Sequence, residues 1–206
     1  EMLRRLGYAG RITMLDAESD TPYDRPNLSK DYLAGNAPEE WIPLRPPGFH
    51  AEHGIDLVHG VQVSALDLPS REVRLADGRA YPFDRLLLAT GAEPIRLSLR
   101  GGDRAHVHYL RSLADSRAII AKTAQATRAV VMGASFIGLE VAASLRKREL
   151  DVHVVAPDKL PLERVMGTEL AKFVKVPAVP IDREAEIVAA GGKITAAEKK
   201  AEGLAD

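Results

Sequence analysis

The chain has 206 residues, 46% of them hydrophobic, enough to fill one large or two small cores, so a disordered or collagen-like polymer is excluded. Lys+Arg 28 against Asp+Glu 29 gives a formal net charge of -1, which supplies no global field for nucleic acid or an anionic membrane. With no cysteine, these residues hold no disulfide, thiolate metal site, iron–sulfur ligand or redox dithiol, and a reducing cytoplasm fits. No run reaches the roughly 18 apolar residues of a membrane span and no basic-then-apolar leader opens the sequence, so a soluble chain is expected.

The opening Glu1-Met2-Leu3-Arg4-Arg5-Leu6-Gly7 reads as the last turns of an amphipathic helix closed by glycine. It has no initiator methionine, and an N-terminally incomplete chain is expected. Arg11-Ile12-Thr13-Met14-Leu15-Asp16 has strand composition and ends among the acids Asp16 and Glu18, as the second half of a strand–helix–strand unit does. Residues 21–47 are rich in proline and turn formers, with short helical patterns near Ser29 and Lys30 and again over residues 39–44. Trp41 and Phe49 flank this stretch and are expected to build a satellite core. Residues 61–66, 72–75 and 79–83 predict a β-meander, its last two strands joined by Asp77-Gly78. The uninterrupted apolar run Leu86-Leu87-Leu88-Ala89 predicts a strand buried on both faces and stopped by Thr90-Gly91.

Ser112-Leu113-Ala114-Asp115 matches a capping box opening a helix toward Ala126. A strand Ala129-Val130-Val131-Met132, a glycine-rich turn, a helix with Ile137, Val141 and Leu145 at four-residue spacing, and a strand over residues 151–155 then complete a second unit. From about Lys175 the composition changes, and short helices are expected over residues 182–190 and 195–201.

The segment most telling for chemistry runs from Val130 to Ala142, where Gly133-Ala134-Ser135-Phe136-Ile137-Gly138 joins strand to helix. Strand, turn and helix N-terminus fall where a dinucleotide pyrophosphate needs them, with backbone N–H groups facing the phosphates. Gly133 permits the tight turn. Gly138, which costs about 1 kcal/mol relative to alanine inside a helix, points to close packing or close ligand approach. Ser135 occupies the middle position usually held by glycine. Past the second strand, Ala156 sits at the usual place for a ribose-binding acid, Asp158 follows as the candidate carboxylate, and Lys159 and Arg164 lie beyond. This favours NADH slightly over NADPH, with a solvated turn residue as the alternative for Asp158.

Pro22-Tyr23-Asp24-Arg25-Pro26-Asn27-Leu28-Ser29-Lys30, Leu88-Ala89-Thr90-Gly91-Ala92-Glu93-Pro94, Tyr109-Leu110-Arg111 and Gly133-x-Ser135-x-x-Gly138-x-Glu140-x-Ala142 occur in that order. Together they resemble the FAD-dependent pyridine nucleotide-disulphide oxidoreductases, in the branch of ferredoxin and rubredoxin reductases and apoptosis-inducing-factor-like flavoproteins. The resemblance covers residues 1 to about 174. It implies an α/β fold of two Rossmann-like, three-layer units with a β-meander, both incomplete. An FAD-binding domain over residues 1–126 would lack its first strand and glycine-rich turn, residues 127–174 would begin the NAD(P)-binding domain, and residues 175–206 form an atypical tail.

By this resemblance Glu18, with Asp16 as the alternative, would bind the FAD ribose, and Arg25 would lie beside the adenosine and pyrophosphate. Lys30 would stand near the flavin ring, the main chain of Val63 would contact the adenine, and Ala89, Thr90 and Gly91 would form a second phosphate and flavin contact. Arg111 matches a flavin-domain arginine and Glu140 an acid facing the nicotinamide pocket. Bland alternatives remain: a surface arginine at Arg25, a solvent-facing Lys30 beside a helix-capping Ser29, and a helix-surface carboxylate at Glu140. The implied function is electron transfer from NAD(P)H through flavin to a ferredoxin or Rieske-type iron–sulfur partner. The other reading is a non-catalytic truncated remnant or nucleotide-binding module. His106-x-His108 has no third ligand nearby, so a structural or surface pair is expected and no metal site is assigned.

Overall fold

Hydrogen bonding along the backbone divides the protein by where each strand finds a neighbour. The computed structural model describes residues 1–174 and the backbone of residues 178–180, which fall into two compact units. One unit takes Glu1–Asp24 with Glu40–Ala92, and the other takes Arg25–Glu39 with the residues from Glu93 onward.

In the first unit, helix α1 (Met2–Arg5) ends at Gly7, whose φ of 81° is one that glycine adopts without strain. Arg4 anchors this stub by donating to the carbonyl oxygens of His53, Gly54 and Gly10, each at 2.8 Å. Strand β1 (Ile12–Leu15) pairs in parallel with β2 (Ile55–Val58), with Ile12 opposite Ile55, and the short helix α2 (Asp31–Ala34) of the other unit intervenes in sequence. Helix α3 (Phe49–Glu52) leads directly into β2. The meander forms as the sequence predicts: β3 (Val63–Asp67), β4 (Glu72–Leu75) and β5 (Ala80–Pro82) are antiparallel neighbours. Its last turn carries Gly78 at φ 90°, with the Asp77 carboxylate accepting the Arg79 N–H at 3.0 Å. Val73 and Leu75 alternate inward along β4.

Two expectations fail here. Leu86-Leu87-Leu88-Ala89 is not a strand, and Leu87 and Leu88 stand 86% and 63% exposed. An apolar run reports hydrophobicity on both faces, but a strand also needs neighbours for its N–H and C=O groups, and among the described residues β1 and β2 pair only with each other. Trp41, expected in a satellite core, is exposed.

In the second unit, helix α4 (Leu113–Thr123) opens with the full capping box, Ser112 and Asp115 each satisfying the other's backbone N–H. Strand β6 (Arg128–Met132), helix α5 (Phe136–Lys147) and strand β7 (Asp151–Ala156) follow as the expected strand–helix–strand unit. Helix α6 (Glu163–Ala171), broken at Gly167 where φ is 78°, leads on to strand β8 (Ala178–Pro180). The sheet order is β6-β7-β8, all parallel. Val131, Val152 and Val154 of the sheet pack with Ala142 and Leu145 of α5, and Ile119 and Leu139 border this core. Ile137 faces outward, because the buried stripe of α5 runs through Leu139, Ala142 and Leu145. The helices expected over residues 182–190 and 195–201 lie outside the described residues.

The segment Arg25–Glu39 belongs to this second unit. It forms a 3-10 turn over Arg25–Ser29 and then α2, which ends at Gly35 in the left-handed region. Leu28 and Leu33 are buried, and their carbonyl-bearing backbone is clipped from outside. Ser116 Oγ donates to Leu28 O at 3.1 Å, Ser144 Oγ to Ser29 O at 2.7 Å, and the Arg148 guanidinium to Leu33 O. Arg117 and Tyr32 both hydrogen-bond the Glu39 carboxylate, at 2.7 and 2.6 Å. Among the described residues no helix is long and apolar enough to cross a membrane.

Removing the fully buried clip should cost more than removing the half-buried cap. Ser144→Ala orphans a buried carbonyl and is expected to lower stability by about 1–3 kcal/mol, against about 1 kcal/mol for Ser112→Ala. Urea unfolding midpoints of the two variants check the order.

Candidate functional site

The turn after β6 is shaped by what it excludes. Gly133 adopts φ 109°, and a side chain there would meet open space, so the backbone angle is what demands glycine. Gly138 is the opposite case: a Cβ would lie 2.0 Å from Gly133 O and 2.9 Å from Gly133 C. Helix α5 can approach the turn this closely only without that atom. Ser135 is the N-cap residue of α5, yet its side chain makes no capping hydrogen bond. The first-turn N–H groups therefore carry no side-chain cap, as an anion-binding helix terminus requires.

Two backbone bonds tie this turn to the end of β7. Gly133 N–H donates to Val155 O at 2.7 Å, and Leu162 N–H donates to Ala134 O at 2.8 Å. The structure thus brings the loop carrying Asp158 against residues 133–135. Asp158 is half-buried and accepts from Arg164 Nε at 2.7 Å. Phe136 and Ile137 are exposed at the start of α5, and Ala134 is buried.

A second cluster forms around Glu140, further along α5. Ser29 Oγ donates to Glu140 Oε2 at 2.6 Å, and Lys30 Nζ stands 3.0 Å from the same oxygen. Burial pushes this carboxyl up, but the hydrogen bonds from Ser29 and Lys30 outweigh it and hold Glu140 below the ordinary carboxylate value. Ser29 therefore serves the acid, and the N-cap of α2 is Lys30. Nearby in sequence, Arg25 Nη1 donates to Arg111 O at 3.0 Å, and Arg111 N–H donates to the Asp115 carboxylate at 3.0 Å. The capping box of α4 thus also orients the residue that receives Arg25.

The remaining expected residues belong to the first unit, on separate segments. Glu18 follows β1; its carboxylate accepts from Tyr23 Oη, and its own N–H donates to Asp16 Oδ1 at 3.0 Å. Asp16 is thereby turned onto its own loop, which leaves Glu18 as the carboxylate held by a side chain. Val63 pairs with Leu75 at the start of β3. Ala89, Thr90 and Gly91 lie in irregular, exposed backbone, with Gly91 at φ 72°. Among the described residues no group of three or more His, Cys, Asp or Glu is placed to hold a metal ion.

Three site features were missed by sequence reasoning: the Ser29–Glu140 bond, the Tyr23–Glu18 bond and the Arg164–Asp158 pair. The first spans 111 positions and leaves no local signal. The third had one, an acid followed six residues on by a basic residue.

A match to the pyridine nucleotide-disulphide oxidoreductases spans residues 1–177. The biphenyl dioxygenase system ferredoxin–NAD(+) reductase component of Paraburkholderia xenovorans is 45% identical over 168 residues, covering 80% of this chain and 40% of that protein. Rhodocoxin reductase of Rhodococcus erythropolis is 39% identical over 171 residues, covering 83% of this chain and 40% of that protein. Among solved structures, the covalent putidaredoxin reductase–putidaredoxin complex matches with a TM-score of 0.78 at 38% identity, over 83% of this chain and 42% of that one. The chain therefore spans about 40% of the length of these curated relatives.

Two outcomes follow from the geometry. Gly138→Ala should destabilise the second unit by about 1–3 kcal/mol, since a Cβ cannot coexist with the Gly133 carbonyl; thermal unfolding measures this. Because Glu140 has a lowered folded pKa, its contribution is present above the ordinary carboxylate range and lost as pH falls through the lowered value. The stability gap between the protein and Glu140→Gln should accordingly close on acidification, as urea midpoints across that range would record.

Proposed function

Because the chain belongs to the pyridine nucleotide-disulphide oxidoreductase family, we propose that it acts within an FAD-dependent NAD(P)H oxidoreductase that passes electrons to a ferredoxin or Rieske-type iron–sulfur partner. The observation that carries this reading is the turn over residues 133–138, whose two glycines meet separate steric demands of a dinucleotide cradle. The names of the relatives, a ferredoxin–NAD(+) reductase component and a rhodocoxin reductase, support the class of partner.

The turn over residues 133–138 supports the NAD(P)H assignment, and the FAD residues are assigned by the family resemblance. Gly133 leaves room beside the backbone, and the uncapped N–H groups of α5 and the α5 terminus favour the pyrophosphate of NAD(P)H. Asp158 is the carboxylate for the adenosine ribose. For FAD, Glu18 would accept from ribose hydroxyls, Arg25 and Arg111 would face phosphate and flavin, and Val63, Ala89, Thr90 and Gly91 would offer backbone contacts. When bound, FAD supplies hydride acceptance and release of electrons one at a time.

The protein's own work is positional and electrostatic. Glu140 and Ser29 hold the Lys30 ammonium in place, so that a cation is available where negative charge develops on a flavin. The same Glu140 faces the nicotinamide side in this reading, so the pair couples both nucleotides. These 206 residues contain no cysteine, so disulfide exchange is not their chemistry and the acceptor must carry its own redox centre. In this scheme residues 1–126 serve FAD, residues 127–174 begin the NAD(P) domain, residues 175–206 are an atypical tail, and the protein works in the cytoplasm.

An absorbance spectrum of the purified chain, followed by anaerobic addition of NADH, tests the proposal. Flavin bands that bleach are the expected result. Colourless protein after incubation with FAD would overturn flavin chemistry by this chain and leave a nucleotide-binding module.

A further inference from the structure

We propose that the Ser29 hydroxyl is a two-way hydrogen-bond switch, donating to the Glu140 carboxylate while that group is ionised and to the Pro26 carbonyl once it is protonated, and that the second setting frees the Lys30 ammonium for an anion. The switch stands on this chain's own geometry. Only the identity of the anion, the negative charge on a flavin, rests on the reading above.

Pro26 and Ser29 share the 3-10 turn and Lys30 follows it, so one carbonyl lies within reach of both side chains. Ser29 Oγ stands 2.6 Å from Glu140 Oε2 and 3.2 Å from Pro26 O. Lys30 Nζ stands 3.0 Å from the same carboxylate oxygen and 3.4 Å from the same carbonyl. An ammonium has three protons and a hydroxyl one, so Lys30 can serve both acceptors at once while Ser29 must choose. The ionised carboxylate wins that choice, because a charge-assisted bond is shorter and roughly twice as strong as a neutral one.

Protonation reverses the order. A neutral Glu140 carries an O–H of its own, which donates to the Ser29 oxygen, and the Ser29 proton turns to Pro26 O. The bonds then run from Glu140 to Ser29 to Pro26 without a rearrangement of heavy atoms, so the buried hydroxyl is satisfied in both settings. Lys30 loses the charge that held it, and its side chain, 47% exposed, can turn outward to an anion. Other charges near α5 are engaged elsewhere. On the elements packed against it, Arg25 donates to Arg111 O, Asp31 accepts from Asn36 Nδ2, and Arg128 and His153 both lie against Asp151. On α5 itself, Arg146 and Arg148 donate to the carbonyls of Leu150 and Leu33, and Lys147 is exposed. Burial raises the Glu140 carboxyl, but Ser29 and Lys30 together hold it low, so the switch turns on the acidic side of the ordinary carboxylate range. An anion that draws Lys30 away removes one of those two donors and raises the carboxyl, which couples anion binding to uptake of a proton from water.

Carbon-13 magnetic resonance of the labelled full chain, free of nucleotide, tests this by following the Glu140 carboxyl and the Pro26 carbonyl through an acid titration. The expected result is one shared midpoint, with the Pro26 carbon moving downfield as its oxygen gains the Ser29 proton. Ser29→Ala should lose the Pro26 movement while Glu140 still titrates. Lys30→Met should keep it, which assigns the movement to the hydroxyl, and should raise the Glu140 midpoint, as the coupling requires. Glu140→Gln, a neutral stand-in for the protonated acid, should show the downfield Pro26 carbon already at neutral pH, where acid unfolding plays no part. Amide spectra matching the parent check that each variant folds, and if Ser29→Ala does not, Glu140→Gln decides. A Pro26 carbon that stays flat through the Glu140 midpoint, moves equally in Ser29→Ala, or is unchanged in Glu140→Gln would overturn the switch. An unraised midpoint in Lys30→Met would overturn the coupling. Failure of the chain to hold FAD would instead overturn the flavin reading and leave the switch in place.

Discussion

Two serine hydroxyls decide where the charged groups of the second unit stand. The backbone over residues 25–34 makes one 3-10 turn and one short helix, and such short elements leave carbonyls without internal partners. Ser116 and Ser144, both buried, satisfy Leu28 and Ser29 from helices α4 and α5. Each bond contributes about 1 kcal/mol net, yet losing either would strand a buried carbonyl at greater cost. That asymmetry fixes the segment's position against both helices, and Arg25, Ser29 and Lys30 are carried along with it. The Arg25–Arg111 and Lys30–Glu140 contacts follow from this docking.

Sterics and electrostatics divide the remaining work. At residues 133–138 the site is built by the absence of atoms, since one glycine admits a backbone angle and the other a contact no side chain allows. Around Glu140 it is built by charge, in a setting where Lys30 remains about half exposed and contributes little to stability. The pair is better understood as holding an ammonium group in one place. The Ser29 hydroxyl makes that possible by giving Glu140 a second donor, so the carboxylate stays ionised and oriented.

What the sequence disclosed depended on the range of the interaction responsible. The β6–α5–β7 unit, the β4–β5 hairpin and the α4 capping box rest on neighbours within a few positions, and each was legible. Glu140 and Lys30 were both identified as candidates, but not as partners, because nothing local links residues 110 positions apart. The short elements α3 and β2 escaped notice for lack of periodicity, and α6 because Gly167 interrupts its helical pattern. Leu86-Leu87-Leu88 misled in the other direction: its hydrophobicity is real, but no described strand pairs with it. Hydrogen-bond partners, unlike apolar character, are not a property of the run itself.

The docking of residues 25–34 also sets a timetable for synthesis. The donor that binds Leu28 lies 88 residues later, and the donor that binds Ser29 lies 115 residues later. At the usual pace of translation the segment emerges and then waits on the order of ten seconds for α5 to leave the ribosome. Until α4 and then α5 emerge, Leu28 and Leu33 lack the helices that cover them in the folded unit, and the segment stays exposed over that interval. The residues placed earliest in the chain around the charged cluster are therefore among those that stay uncovered longest.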